Sequence, residues 1–329
     1  MNPSEDKVAY CGIDVSKSTF DASVLQGSHE FKNKLTGFKR LKSILPDNAH
    51  CVMEATGPYY LKLAVYLQSH GIKVSVVNPL VIKRFAQMRM IKAKTDKADA
   101  KLIALYAEKE TPELWKAPEP ILIEVQQEQA VLAGLSKQLR MLLNQVESIQ
   151  VQPSQSKEAL KTVSTVTKLV EREISSLEKS MLKKVEQIFA EELGLITSIP
   201  GIGIGIKNAI ALLVATHAFS KFQNAKQVAS YIGICPRIYQ SGSSIKGKGS
   251  ITKMGDKRVR TLLYLAARSA ARHNNACKQT YERLIKNGKA DKLAIIAVAN
   301  KLLKQAFAVV TNKKMYQPEY YLPLNRKLT

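Results

Sequence analysis

Cysteine is scarce and scattered in this chain of 329 residues. The four, Cys11, Cys51, Cys235 and Cys277, form no C-x-x-C pair, which argues against a zinc site and a disulfide framework and leaves four reduced packing residues. The five histidines, His29, His50, His70, His217 and His273, are equally dispersed, none at metal-ligand spacing from another, and are expected as surface or capping residues. No segment approaches the roughly 18 uninterrupted apolar residues of a membrane span, and the opening MNPSEDK has no signal-peptide core. Acidic residues are outnumbered, 27 Asp and Glu against 50 Lys and Arg, for a formal charge of +23. So basic a chain points to a polyanionic partner, either nucleic acid or an acidic membrane surface. With no span and no leader, the economical expectation is a cytoplasmic, nucleoid-associated protein bound to nucleic acid and not to membrane.

What is present is a globular chain, 45% hydrophobic and long enough for two or three domains. Residues 8 to 32 read as three strands, VAYCGIDVS, TFDASVLQG and SHEFKNKL. A helix from about Gly37 to Leu45 follows, then strand HCVMEAT, helix Tyr59 to His70, strand KVSVVN and helix LVIKRFAQ. Antiparallel strands first and parallel additions afterwards make an α/β domain.

KTDKADA, residues 94–100, carries Asp96 and Asp99 one helical turn apart, and so on one face of a helix start. Asp14 interrupts the apolar run YCGIDVS, and Glu54 closes another, HCVMEATG. A carboxylate in or at the end of a buried strand costs several kcal/mol, roughly, unless a cation or hydrogen bonds satisfy it. A divalent metal is the natural partner, and four converging acids would hold two magnesium ions about 4 Å apart, the usual device of phosphodiester chemistry. Blander readings stand beside this one: Asp96 and Asp99 would also complement a helix N-terminus, and Glu54 would also serve as a solvated strand end.

Beyond the Pro-rich joint KAPEP, residues 116–120, the chain becomes long helices. Val125, Leu132, Leu135, Leu139, Leu142, Val146 and Ile149 form one a/d seam, and Leu160, Val163, Val170, Ile174, Leu177, Met181 and Ile188 a second. The breaker around Pro153 makes them a helical hairpin, paired within the chain, between chains, or both. ITSIPGIGIGIKNAIALLVA then looks like a helix-hairpin-helix, in which Gly201 and Gly203 let backbone approach a phosphate or simply make a tight turn. Residues 237–272 hold nine Lys or Arg against one acid, Asp256. Lys246, Lys248, Lys253, Lys257, Arg258 and Arg260 are the expected phosphate contacts. The same stretch carries Ser241, Ser243 and Ser244 with no histidine base nearby, which disfavours a Ser-His-Asp hydrolase.

The blocks GIDVSK, EATGPY, VVNP and KTDKADA, in that order, resemble the signature of DEDD transposases of bridge-RNA insertion sequences, relatives of the Piv invertases. YQSGSS with its following Gly, Lys and Arg looks like the C-terminal block of the same family. The resemblance implies a ribonuclease H-like, RuvC-like domain at 1–115, a coiled-coil hairpin at 116–190 and a mostly α-helical C-terminal transposase domain at 191–329. It implies that Asp14, Glu54, Asp96 and Asp99 bind Mg2+ and that Ser241 is the nucleophile of a phosphoserine intermediate. Donor and target DNA, a structured guide RNA, and a homo-oligomer, dimer or tetramer, with composite sites complete the implied picture. A metal-dependent nuclease of the Holliday-junction type would share the acids without needing the serine. A sugar-kinase-like phosphotransferase would need Gly-rich phosphate loops, which the sequence lacks, and a non-catalytic RNA-binding protein would need neither acids nor serine.

Overall fold

The computed structural model describes residues 8–25, 27–91, 95–203, 205–237, 240–241, 245–246 and 250–318, with 240–241 and 245–246 as backbone alone. Two compact units divide the chain, Met1–Pro118 and Glu119–Thr329.

The first unit is built on a mixed five-stranded sheet in the order β3-β2-β1-β4-β5. Strands β1 (Ala9–Val15), β2 (Thr19–Val24) and β3 (Gly27–Lys32) form an antiparallel meander, and β4 (Ala49–Glu54) and β5 (Lys73–Val77) add parallel to β1. Side chains alternate across the sheet with period two, which sorts the apolar residues into two cores. Cys11, Ile13, Phe20, Ala22, Phe31 and Met53 pack beneath helices α1 (Leu35–Ile44) and α2 (Leu61–Ser69). Val52 lies on the other face with α3 (Pro79–Met88) and α4 (Asp96–Glu110), through Ile82, Phe85, Leu102 and Ile103.

Gly12 makes the second layer possible. A Cβ there would stand 2.1 Å from the Ala100 carbonyl oxygen and 2.3 Å from the Ala104 nitrogen, so α4 lies directly on the backbone of β1. His50 departs from the expected surface role. It is buried, its Nε2 is 2.8 Å from Ser75 Oγ, and its ring rests against Tyr10, because an even-numbered position on β4 faces the α4 layer. His70 and His217, by contrast, do cap helices.

The second unit begins with the helical hairpin, α5 (Pro120–Gln150) and α6 (Lys157–Thr197), the latter broken at Phe189, where φ is −130° and ψ 39°. Leu122, Val125, Leu132, Met181 and Val185 bury the hairpin's base in the unit's core. Lys184 Nζ bridges Glu124 (2.8 Å) and Glu128 (2.7 Å), and Ser180 donates to Glu128 at 2.9 Å. Towards the tip, Leu135, Leu139, Leu142, Val146 and Ile149 are half-buried, so the seam closes within the chain on one side only.

Helices α7 (Ile206–Thr216), α8 (Ala225–Ile232), α9 (Lys257–His273), α10 (Asn275–Lys286) and α11 (Asp291–Thr311) complete the unit, with two short ribbons. One ribbon pairs β6 (Pro236–Arg237) with β9 (Ser250–Ile251), the other β7 (Gln240–Ser241) with β8 (Ile245–Lys246). Among the described residues α11 alone is long and apolar enough to cross a membrane. A count of uninterrupted apolar residues misses it because Lys292, Lys301 and Lys304 break the run. Its Val298, Leu302, Leu303 and Ala306 are fully buried core residues. Tyr316 docks on the protein, its hydroxyl 3.1 Å from Asn274 Oδ1, while Tyr320 and Tyr321 lie outside the described residues.

Candidate metal centre and nucleic-acid interface

The register of β1 explains how Asp14 reaches the same side as α4. Ile13 and Val15 point into the core under α1 and α2, so Gly12 and Asp14 face α4. Parallel pairing of β1 with β4 ends at Ile13↔Met53, which leaves Asp14 and Glu54 as the next residues of adjacent strands. Thr95 caps α4 by accepting from the Ala98 nitrogen at 3.2 Å, and Asp96 and Asp99 occupy the helix's first turn. Since Ala100 is the residue pressed on Gly12, that turn arrives over the strand ends. Thr56 donates to Glu54 Oε1, which orients the second carboxylate.

The electrostatics register this convergence. Burial pushes Asp14 up to about 6, and Glu54, Asp99, Asp96 and Asp21 push in the same direction, in that order. Crowded carboxylates in a partly dry site favour the protonated form until a cation neutralises them. Among the described residues no three His, Cys, Asp or Glu side chains form a ready-made metal cage. The donor set is nevertheless all hard oxygen, the kind suited to Mg2+, Mn2+ or Ca2+.

Asp21 is the member that sequence reasoning missed. It pairs directly with Asp14 across β1 and β2, and with Glu30 across β2 and β3. It is 7% exposed, and its Oδ1 is buried without a hydrogen-bond partner among the described residues. Burial, then Glu30 and Asp96, raise its pKa, with Lys97 pulling the other way. The available signal was the strand TFDASV itself, where Asp21 falls on the face opposite Phe20 and Ala22.

The basic stretch lies in the second unit. Ser241 is in β7, opposite Ile245, and Lys246 in β8, opposite Gln240. Ser243, Ser244 and Lys248, like Lys94 ahead of α4, lie outside the described residues. Lys253 and Lys257 are exposed. Asp256 caps α9, accepting from the Arg258 and Val259 nitrogens at 2.7 and 3.1 Å. Arg260 has a structural bond, donating from Nη1 to the Ile232 carbonyl at 2.8 Å, which ties the end of α8 to α9. Gly201 is buried with φ of +107°, and a Cβ there would meet the Ala270 Cβ at 2.5 Å, so packing against α9 is sufficient to require glycine. Gly203, one residue beyond buried Ile202, is exposed.

Two family models match the chain: a transposase model of the IS110 DEDD type over residues 11–152, and the transposase IS116/IS110/IS902 family over residues 193–282. The pilin gene-inverting protein of Moraxella bovis is 34% identical over 327 residues, covering 93% of this chain and 97% of that protein, and the Moraxella lacunata protein of the same name matches to the same extent. The transposase for insertion sequence element IS1111A of Coxiella burnetii is 23% identical over 340 residues, 93% of this chain and 90% of that protein. The chain thus belongs to the IS110/IS116 family of DNA transposases and recombinases.

Proposed function

We propose that the protein performs site-specific DNA strand exchange for an insertion sequence, with two chemical stations on one chain. The first is the acid face of residues 1–115, read as a ribonuclease H-like, RuvC-like domain, where Asp14, Glu54, Asp96 and Asp99 would hold Mg2+ and Asp21 adds a fifth carboxylate. The second is Ser241 in the C-terminal domain, 191–329, with the hairpin of 116–190 between them. The observation that carries this reading is the convergence of acids from β1, β4 and α4 on Asp14, whose pKa is pushed up to about 6 first by burial and then by Glu54, Asp99 and Asp96. The family implies a divalent metal ion, and two such ions would stabilise charge on both the attacking and the leaving oxygen of a phosphoryl transfer.

The chain's own residues do the rest. Thr56 orients Glu54, Thr95 fixes the first turn of α4, and Gly12 sets its height over β1. The Ser241 hydroxyl is the proposed attacking group: its oxygen joins phosphorus as the strand's P–O bond breaks, leaving a phosphoserine link and a strand end that takes up a proton. Lys246, Lys248, Lys253, Lys257, Arg258 and Arg260, with the helix-hairpin-helix-like turn at Gly201 and Gly203, supply the phosphate contacts. A net charge of +23 suits a chain that grips nucleic-acid backbone, and we extend the reading to a structured guide RNA that leaves sequence choice to base pairing. The half-closed hairpin seam supports assembly into a dimer or tetramer.

The test is covalent trapping of DNA on the purified protein. Ser241→Ala is expected to abolish the protein–DNA adduct with divalent-ion binding intact, and Asp14→Asn to abolish both. Unchanged strand cleavage by Ser241→Ala would instead identify a junction-type nuclease.

A further inference from the structure

A cavity of about 400 Å³ opens within the second unit, among α5, the turn after α7, α8 and the first turn of α9. Of its lining, the proposed strand exchange uses Arg258 alone, as a phosphate contact. Its volume falls within the roughly 300–1,000 Å³ of sites that take small-molecule-sized ligands.

Three observations bear on what would fill it. Arg258, on its wall, has a buried Nε with no hydrogen-bond partner among the described residues. Buried donors are almost always paired, so this one is a candidate contact for a ligand acceptor. Next, His217, Ala218 and Phe219 have φ of +49°, +50° and +63°, three successive non-glycine residues in the left-handed region. Backbone strain of this kind persists only where its surroundings hold it, and it gathers at ligand sites. Here Ala218 donates to the Leu213 carbonyl at 2.9 Å, Phe219 donates from its nitrogen to Thr216 Oγ1 at 3.2 Å, and the Phe219 ring is fully buried. This turn delivers His217, Lys221 and Phe222 to the cavity. Finally, the lining joins two cations, Lys221 and Arg258, and one carboxylate, Asp256, whose Oδ1 is taken up by the Arg258 and Val259 nitrogens, to an aromatic pair, Phe222 and Tyr231, whose ring centroids lie 5.3 Å apart. Tyr231 is 50% exposed, leaving ring surface for a ligand. Burial and Lys221 hold the His217 imidazole below its ordinary pKa, so near neutral pH it offers one donor and one acceptor.

We infer that this cavity binds one unpaired nucleotide of a nucleic-acid strand, the base against Tyr231 and Phe222 and the phosphate on Arg258 and Lys221. A bare phosphate would leave the aromatic wall unused, and an apolar ligand would leave both cations unpaired. A nucleotide inside a duplex presents its phosphates but not its ring faces, so selection for unpaired strand follows from the geometry. The inference rests on the nucleic-acid reading of the chain but not on its recombinase chemistry.

The test is fluorescence anisotropy of the full chain in chelator, with labelled ten-nucleotide oligothymidylate, the matching oligouridylate and a ten-base-pair duplex. Phe222→Ala and Tyr231→Ala are each expected to weaken single-strand binding about tenfold while duplex binding changes less than twofold. The deoxy and ribo probes separate DNA from RNA as the source of the nucleotide. Lys226→Gln, at an exposed position on α8 outside the cavity, is the charge control and is expected to shift single strand and duplex alike. Equal losses on single strand and duplex by the cavity variants would reduce the site to surface charge and overturn the inference. So would single-strand binding within twofold of the parent in variants with an unchanged melting temperature. If Phe222→Ala fails to fold, Tyr231→Ala and Lys221→Gln at the exposed mouth decide the matter. Chelator suppresses strand exchange, so an inactive recombinase would still pass or fail on the cavity alone.

Discussion

Asp14 on β1 stands directly opposite Asp21 on β2, two carboxylates paired across an antiparallel ladder on the face covered by α4. Like charges so placed oppose each other, and burial sharpens the effect. Burial is the larger push on Asp14, and Asp21 adds to it after Glu54, Asp99 and Asp96.

The first prediction concerns pH. Asp14 has a folded pKa of about 6 against an ordinary 3.8, so the folded chain binds its proton more tightly than the unfolded chain does. The sign follows from linkage: Asp14 does not disfavour the fold below about 3.8, and it withdraws stability as pH rises to about 6. In chelator, the melting temperature of Asp14→Asn minus that of the parent is expected to be near zero at pH 4 and to grow to about 2–4 °C at pH 7. A difference that is flat with pH, or negative at pH 7, would contradict the assignment.

Asp21 is predicted to tune cation binding. Asp21→Asn should weaken Mn2+ binding, measured by titration calorimetry, by about 10–100-fold, the scale typical of groups that support metal ligands. Unaltered affinity would leave Asp21 as a packing residue.

Gly12→Val tests the layer that brings α4 to the acids. The added side chain would collide with the backbone at Ala100 and Ala104, and overpacking of this kind costs about 1–3 kcal/mol or more. The expected result is a lower urea midpoint together with loss of Mn2+ binding. A variant that binds Mn2+ normally would show that α4 is not held by this contact.

Much of this was legible in the sequence, and the reason is periodicity. Alternation in YCGIDV and HCVMEA set both strands and both acids, and the seam from Val125 to Ile149, with the breaker around Pro153 and the second seam after it, announced the hairpin. Asp21 escaped because a polar residue at every second position, here Thr19, Asp21 and Ser23, also describes an ordinary solvent face; only the arrival of α4 dries it. His50 escaped for the same reason, being polar at a position that tertiary packing later buries against Ser75 and Tyr10. Gly201 shows the converse: its text suggests a ligand-facing turn, whereas contact with Ala270 is by itself enough to require glycine.

A fourth prediction addresses the second unit. Asn274 is 1% exposed, caps α10 by accepting from the Cys277 nitrogen at 3.2 Å, donates to Gln305 Oε1 at 3.0 Å and bonds the Tyr316 hydroxyl at 3.1 Å. Asn274→Ala strands several partners at once and is expected to cost about 2–3 kcal/mol. Tyr316→Phe removes one bond and should cost about 1 kcal/mol. Both are read by chemical denaturation, and equal costs would dissolve the network.

The hairpin of α5 and α6 carries a geometric corollary. At 1.5 Å per residue, the 31 residues of α5 make a rod about 45 Å long, anchored at one end by Leu122, Val125, Met181 and Val185 and zippered by leucines towards the other. Such a rod is graduated in heptads. Excising seven residues from each arm would shorten its reach while keeping the same stripe facing outward, whereas excising four would swivel the tip and present a different stripe to whatever meets it.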